Sequence, residues 1–312
     1  MQPDAAVIVI IINKGHTGMC PLFFIAKGIA ACYTDIHIKH GIYHGVINRK
    51  LGDEFMAHAD IRKNIFFDGS EPMLTVDKFY GRTKKVCDVG IITFSEKVME
   101  WMLGEYECKK AAEVGSANGN RPIYTTLVNG RKIAFYMSMI GSACAGSMLE
   151  DFAYLTGASK FVMFGSCGTL SAKETDGKII VPTSAYRDEG LSWHYLASED
   201  EYIDMTGSRR VADFMRKRAP YITGKTWTTD AIFRETVDKA ERLRNDGCIA
   251  VEMECAGVQA VCTCKGFELY DFLFASDYLG ETEWTNKMLG TETEIDMQIR
   301  CMKLALELAS EI

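Results

Sequence analysis

Four short segments carry residue types that do chemistry, and each falls where an apolar run gives way to a polar one. In Gly165-Ser166-Cys167-Gly168, small residues let backbone amides come close to an anion or a sugar, and Ser166 adds a hydroxyl. Taken alone, such a tetrapeptide is most simply a tight turn leaving the strand Phe161 to Phe164. In Val251-Glu252-Met253-Glu254-Cys255-Ala256-Gly257, two carboxylates flank a methionine between a strand and a helix. The plain reading is helix capping, because a helix start favours negative charge. The chemical reading is that Glu254 accepts both hydroxyls of a cis-diol while Met253 packs on the apolar face of the sugar. A carboxylate offers two acceptors at the spacing a diol needs. Phe274-Ala275-Ser276-Asp277 ends an apolar strand on an aspartate. Asp277 is either a loop-start residue making a local turn or a general acid, since a carboxyl drawn partly out of water donates a proton nearer neutral pH. The fourth segment, Arg187 to Tyr195, is polar and aromatic, and surface loops often look like that.

These segments need strands and helices to hold them. From about residue 85 the two signals alternate. Val86 to Ile92 reads as a strand, and Ser95 is placed to cap a helix through Leu103. Ile123 to Val128, Asn129-Gly130 and Lys132 to Met139 spell a hairpin with a two-residue turn. Ala145 to Leu155 is helical and ends at Gly157. Lys178 to Val181 reads as a strand stopped by Pro182. Lys225 to Thr229, Ile249 to Met253 and Leu269 to Ala275 are also strand-like, Cys255 to Cys264 is helical, and Ile295 to Leu308 has helical spacing. This alternation predicts a three-layer α/β/α domain with a mixed, mostly parallel central sheet. Ligands in such sheets sit beyond the carboxyl ends of strands, where the four segments fall.

Composition narrows the class. The chain has 312 residues, 47% of them hydrophobic, enough for a sizeable core. A net charge of -7 without a basic block argues against nucleic acid as partner. No stretch reaches the ~20 apolar residues of a membrane helix, and no basic region precedes the run Ala5 to Ile12 as it does in a signal peptide. The 11 cysteines lack CxxC spacing, so buried thiols in a reduced, cytoplasmic protein are expected rather than disulfides or zinc.

Residues 1–55 hold four of the six histidines and show no sustained period. Two readings compete: an extra N-terminal element, or, slightly preferred, a natural start at Met56. Gly52-Asp53-Glu54 is encodable by a purine-rich stretch like a bacterial ribosome-binding site. The expected division is an N-terminal extension, 1–55, and a catalytic domain, 56–312.

In this order and setting, the four segments resemble the nucleoside phosphorylase family of purine nucleoside phosphorylases, uridine phosphorylases and related nucleosidases. The resemblance runs from about Val86 to the C-terminus, and Met139-Ile140-Gly141-Ser142-Ala143 resembles the family's glycine-rich turn before its first long helix. It implies a nucleoside phosphorylase-like fold, cleavage of the N-glycosidic bond of a purine ribonucleoside, and a homo-oligomer (dimer, trimer or hexamer) with sites near subunit interfaces. It further implies that Glu254 binds the ribose hydroxyls, Met253 packs on the sugar, and Ser166 contacts phosphate or another nucleophile. Cys167 and Gly168 lie beside the base, Ile232 and Phe233 stack on it, and Asp277 helps it leave. Glu252 and Ser276 join the substrate site, and Gly90 the nucleophile site, by the same resemblance. No metal or organic cofactor is implied; inorganic phosphate is the expected co-substrate.

The sequence departs from the family at the anion. The first loop reads Gly90-Ile91-Ile92-Thr93-Phe94, with Phe94 in the place of one phosphate arginine, and Met163 occupies the place of another. Apolar side chains cannot replace bidentate guanidinium contacts. Arg121 lies near where a neighbouring subunit often supplies an arginine. Related hydrolases use water activated by a first-loop carboxylate, for which Glu96 is the nearest candidate, although an exposed helix position suits it better. His58 is a loose candidate for a 5'-hydroxyl contact. Phosphorolysis is the leading expectation, hydrolysis the alternative, and a non-catalytic nucleoside-binding protein the third. The glutamine and arginine that read uracil are not evident after Phe233, which with Asp277 favours a purine.

Overall fold

The computed structural model describes residues 6–12, 20–26, 32–38, 41–47, 67, 69–197 and 200–312. The chain divides into two compact units, Met1–Ile65 and Phe66–Ile312. In the first, β1 (Ala6–Ile12) pairs antiparallel with β2 (Cys20–Ala26), and β3 (Cys32–Ile38) with β4 (Gly41–Ile47). No strand period announces them because β1 is apolar at every position instead of alternating. His58 lies outside the described residues.

The second unit runs α1 (Val76–Tyr80), β5 (Val89–Thr93), α2 (Glu96–Glu105), β6 (Lys109–Val114), β7 (Arg121–Val128), β8 (Arg131–Met137), α3 (Ser142–Thr156), β9 (Lys160–Thr169), α4 (Ala172–Thr175) and β10 (Ile179–Asp188). It continues through α5 (Ser192–Tyr195), β11 (Tyr202–Asp204), α6 (Ser208–Met215), β12 (Tyr221–Thr229), α7 (Val237–Asn245), β13 (Cys248–Glu252), α8 (Cys255–Lys265), β14 (Glu268–Leu279), β15 (Trp284–Asn286) and α9 (Glu292–Glu311). The local signals explain several boundaries. Ser95 Oγ accepts the Val98 amide at 3.3 Å and starts α2. Asn129 and Gly130 both have positive φ, 50° and 78°, as a two-residue hairpin turn requires. Gly157, at φ 73°, ends α3.

The central strands are apolar almost throughout because both faces are covered. Along β9, Phe161 and Met163 join one apolar cluster, and Val162 and Phe164 join the other. Helices α3 and α8 cover the first cluster; α2, α6 and α9 cover the second. The sheet is mixed. The pairings β5–β8, β5–β9, β9–β14, β10–β12 and β12–β13 are parallel, and β9–β13, β10–β14 and the hairpins are antiparallel. Strands β9, β14, β10, β12 and β13 each pair with two of the others, so this part of the sheet closes on itself.

Three expected strand ends fall elsewhere. Pro182 does not stop β10; it sits at a bulge between Pro182 and Ala185, where no ladder N–H is demanded of it. The Gly165–Gly168 tetrapeptide lies within β9, held there by pairing with β14 that is interrupted by a register shift between Ala275 and Asp277. Gly90 lies inside β5, not in a loop. A Cβ there would collide with the Phe152 ring, so its small size serves the core, and the nucleophile role expected for it is corrected.

Helices α3 and α8 approach closely through glycine. A Cβ on Gly257 would stand 2.6 Å from Ser142 Cβ. We therefore expect Gly257→Ala to lower stability by about 1–3 kcal/mol, the usual cost of overpacking. By contrast Gly104→Ala, with open space around it in α2, should raise stability by up to ~1 kcal/mol. Urea unfolding of both variants checks the pair of signs.

Candidate active site

The sheet opens where β9 changes partner. β5 accompanies β9 only as far as Met163, and β13 joins it only at Gly168. Gly165, Ser166 and Cys167 therefore lack a neighbour on that edge, which makes the crevice of a topological switch point. Ser166 is half-buried and its hydroxyl makes no hydrogen bond among the described residues. Phe94, just past β5, lies against Gly165: its ring is 3.5 Å from where a Cβ would be. Met163 is fully buried behind it.

The end of β13 supplies the carboxylates. Glu252 Oε2 accepts the amides of Glu254 and Cys255 at 2.6 and 2.7 Å, and Oε1 accepts the Thr228 and Thr226 hydroxyls at 2.5 and 3.3 Å. Glu252 is thus consumed in capping α8, and its expected place in the substrate site is corrected; the plain reading of this carboxylate holds. Glu254 is different. Its Oε1 accepts the Gly141 amide at 2.6 Å, and Oε2 has no partner among the described residues. Burial first, and the neighbouring Glu252 second, push its carboxyl up to about 8. Ser142 Oγ donates to Met253 O at 2.9 Å, tying the start of α3 to the same turn.

At the far side of β9, Asp277 is 9% exposed. Its Oδ1 accepts the Ser276 hydroxyl at 2.9 Å and its Oδ2 accepts the Trp284 indole N–H at 2.8 Å. Gly168 faces it closely, a Cβ there being 3.1 Å from Oδ2. The structure therefore brings Gly168 and Asp277 together, while Ser276, buried and committed to Asp277, is a support instead of a substrate contact. Cys167 is likewise buried, its thiol directed at Phe274 O at 3.4 Å and raised well above its ordinary range by burial. Its side chain joins the apolar cluster under α3 and α8. Ile232 and Phe233 form a 3-10 turn and stand 51% and 96% exposed, with no packing against the crevice. Arg121 begins β7, paired with Val114 of β6, with β8 and β5 between it and β9. Glu96 is exposed in the first turn of α2, the plain reading.

Two groups at the site escape the sequence. Glu235 follows the exposed 3-10 turn, half-buried; burial, then the charge of Asp277, push it up to about 7. Trp284 comes from a polar stretch, and a lone aromatic seven residues beyond an aspartate was its only signal. Beneath Glu254, Asp271 is fully enclosed. Its Oδ2 accepts the Cys255 thiol at 2.9 Å, its Oδ1 has no partner, and burial raises it to about 7. The Arg187–Tyr195 segment is architectural. The Arg187 guanidinium stacks 3.7 Å from the Trp193 ring and donates to Ser192 and to the Leu196 carbonyl. Among the described residues no lysine or arginine pairs with Glu252, Glu254, Asp271 or Asp277, and no three metal-ligating side chains meet.

The sequence profile of the Phosphorylase superfamily matches residues 88–312. The chain belongs to this superfamily. Among curated relatives, the DeoD-type purine nucleoside phosphorylase of Myxococcus xanthus is 26% identical over 159 residues, 50% of this chain and 66% of that protein. The DeoD-type purine nucleoside phosphorylase of Colwellia psychrerythraea is 26% identical over 191 residues, 59% and 78% of the two chains. The guanosine phosphorylase of Halorubrum lacusprofundi is 25% identical over 162 residues, 50% and 65%. The chain thus spans slightly under two thirds of the first and third of these relatives. Among solved structures, a futalosine hydrolase mutant of Helicobacter pylori superposes with a TM-score of 0.58 at 14% identity, covering 73% of this chain and all of that one. These relatives are named as purine nucleoside and guanosine phosphorylases, and the structural neighbour as a hydrolase. Among the described residues no helix is long and apolar enough to cross a membrane.

The raised carboxyls carry a pH consequence. Glu254 is at about 8 in the fold and near 4.5 when unfolded, so the folded state binds its proton more tightly. Its contribution is complete below pH 4.5 and is lost as pH rises through 8. We expect stability to fall by roughly 2–4 kcal/mol over that window on account of Glu254. Asp271 adds in the same direction below about 7. Glu254→Gln should flatten the slope; melting temperatures from pH 5 to 9 with an unchanged slope would remove Glu254 as the cause.

Proposed function

We propose that this chain cleaves the N-glycosidic bond of a purine ribonucleoside, and that water is the acceptor. The supporting observation for water is the Phe94 ring lying on Gly165 beside Ser166, with Met163 buried behind it and carboxyls on both sides. A phosphate dianion there meets no guanidinium to balance its charge, whereas a water molecule needs none.

In this reading Glu254 holds the sugar. Its free Oε2 accepts a ribose hydroxyl while Oε1 stays anchored on the Gly141 amide. Ionised Glu254 offers acceptors on both oxygens and accepts more strongly than the protonated group, so ribose affinity increases as pH rises through about 8. The free Ser166 hydroxyl orients the water at the sugar carbon. At the base end, the partially desolvated Glu235 carries a proton up to about pH 7 and Asp277 is held as an acceptor. Together they offer one donor and one acceptor to a base that gains electrons as the C1'–N bond breaks. The general acid of the pair is thus Glu235 rather than Asp277, which alters the role expected from sequence. The bond electrons stay with the departing base, Glu235 supplies the proton that neutralises it, water adds through its oxygen to C1' to give free ribose, and the proton that water loses returns to Glu235 through solvent.

A second reading, phosphorolysis to ribose 1-phosphate, has support in Arg121, whose Nε is buried without a hydrogen-bond partner, and in the relatives that are phosphorylases. An oligomer that lends this arginine to a neighbouring site would restore the charge.

The two readings separate by product. Incubation with adenosine or inosine in phosphate-free buffer should release base and free ribose, and added phosphate should divert little of the sugar. Saturation at sub-millimolar phosphate with ribose 1-phosphate as sole product would exclude water as the acceptor. Binding of a nucleoside with no base released in either buffer would mark a non-catalytic protein. Glu254→Gln should raise KM about ten- to a hundredfold for ribosides, the worth of a hydrogen bond to a charged group, and less for 2'-deoxyribosides. Equal losses on both would show that Glu254 does not hold the hydroxyls.

A further inference from the structure

Tryptophan usually contributes its large ring to a core. Trp284 does not: it is 58% exposed, on a three-residue strand whose side chains all face solvent. Its one polar atom is nevertheless spent on the most sheltered carboxyl of the base end, at 2.8 Å from Asp277 Oδ2. The hairpin accounts for the placement. Gly280 N–H donates to Glu283 O across the turn, Leu279 pairs with Trp284, and Asp277 pairs with Asn286. Side chains two apart on a strand share a face, so Trp284 and Asp277 are diagonal neighbours on one side of the ribbon, within reach of a long side chain.

Resting on the reading of the site as a purine nucleoside site, we propose that Trp284 is the positioning residue of Asp277, its indole N–H fixing the carboxyl plane and its exposed ring forming the wall on which a bound base rests. Ser276 already holds Oδ1, so one further contact to Oδ2 removes the remaining freedom of the group. Gly168 lies against Oδ2, where a Cβ would stand 3.1 Å away and would also press on Leu279 and Val251. Any base that reaches Oδ2 must come within van der Waals distance of the indole edge bonded to the same oxygen.

The test uses the full chain and two variants. Trp284→Phe keeps a ring and loses the N–H; Trp284→Ala loses both. With adenosine and inosine, W284F should lower kcat about tenfold or more with KM within about threefold. W284A should in addition weaken binding of free adenine and hypoxanthine about tenfold, read by calorimetry. Wild-type kcat in W284F, or a loss that falls on KM instead, overturns the proposal. Should the unmodified chain cleave neither nucleoside, the proposed function falls and base binding alone decides: equal affinities in wild type and W284A, or no binding at all, overturn the role of Trp284 as well.

Discussion

The buried carboxylate of Glu252 collects hydrogen bonds from two threonine hydroxyls of β12 and from the first amides of α8. An unpaired charge in that position would be costly, so these four donors must all stay where they are. That requirement fixes the angle between a strand and a helix. It sets the turn Met253–Glu254 at one height above the sheet, and through Gly141 and Ser142 it brings the start of α3 to the same point. The close glycine contact between α3 and α8 is the packing side of the same arrangement. Glu252 thereby builds the turn on which Glu254 stands.

Much of the architecture is legible because it rests on local rules. Ser95, Asn129-Gly130 and Gly157 act through their own backbone, and each stands where its chemistry predicts. The apolar runs of β9 and β14 announce a doubly covered sheet. What is not legible depends on partners distant in sequence. Pro182 looks like a strand stop, but β12 and β14 carry β10 past it through a bulge. Gly90 looks like a loop glycine, and only Phe152, sixty-two positions away, shows that it is a core glycine. Glu252 and Glu254 are one methionine apart and look equivalent; the two threonines of β12 separate them. Trp284 and Glu235 could not be chosen from their neighbours in sequence, since their meaning comes wholly from Asp277.

The site is unusual in having little that is positive. Its polar groups are carboxyls, hydroxyls, amides and an indole, and its floor is Phe94, Met163 and glycine. Burial keeps protons on several of these carboxyls near neutrality, which lets acidic side chains crowd together without full mutual repulsion. Such a pocket discriminates by where hydrogen bonds can form, not by long-range attraction for an anion. Its association with ligands is correspondingly insensitive to salt.

The closed circuit of β9, β14, β10, β12 and β13 has a mechanical side. Ser166 and Asp277 ride on it, and Glu254 follows β13 directly. A strand in an open sheet can peel from one neighbour while keeping the other; in the circuit each strand has partners on both edges, with the opening at Gly165–Cys167 as the exception. Amide protons in these ladders should therefore exchange with solvent only when the whole unit opens, whereas those of the β15 hairpin and of the 230–236 turn exchange through small local openings. The Phe66–Ile312 unit is thus divided into a stiff frame that carries Ser166 and Asp277 and two soft flaps that carry Glu235 and Trp284, and the distances among the frame residues are set once, at folding.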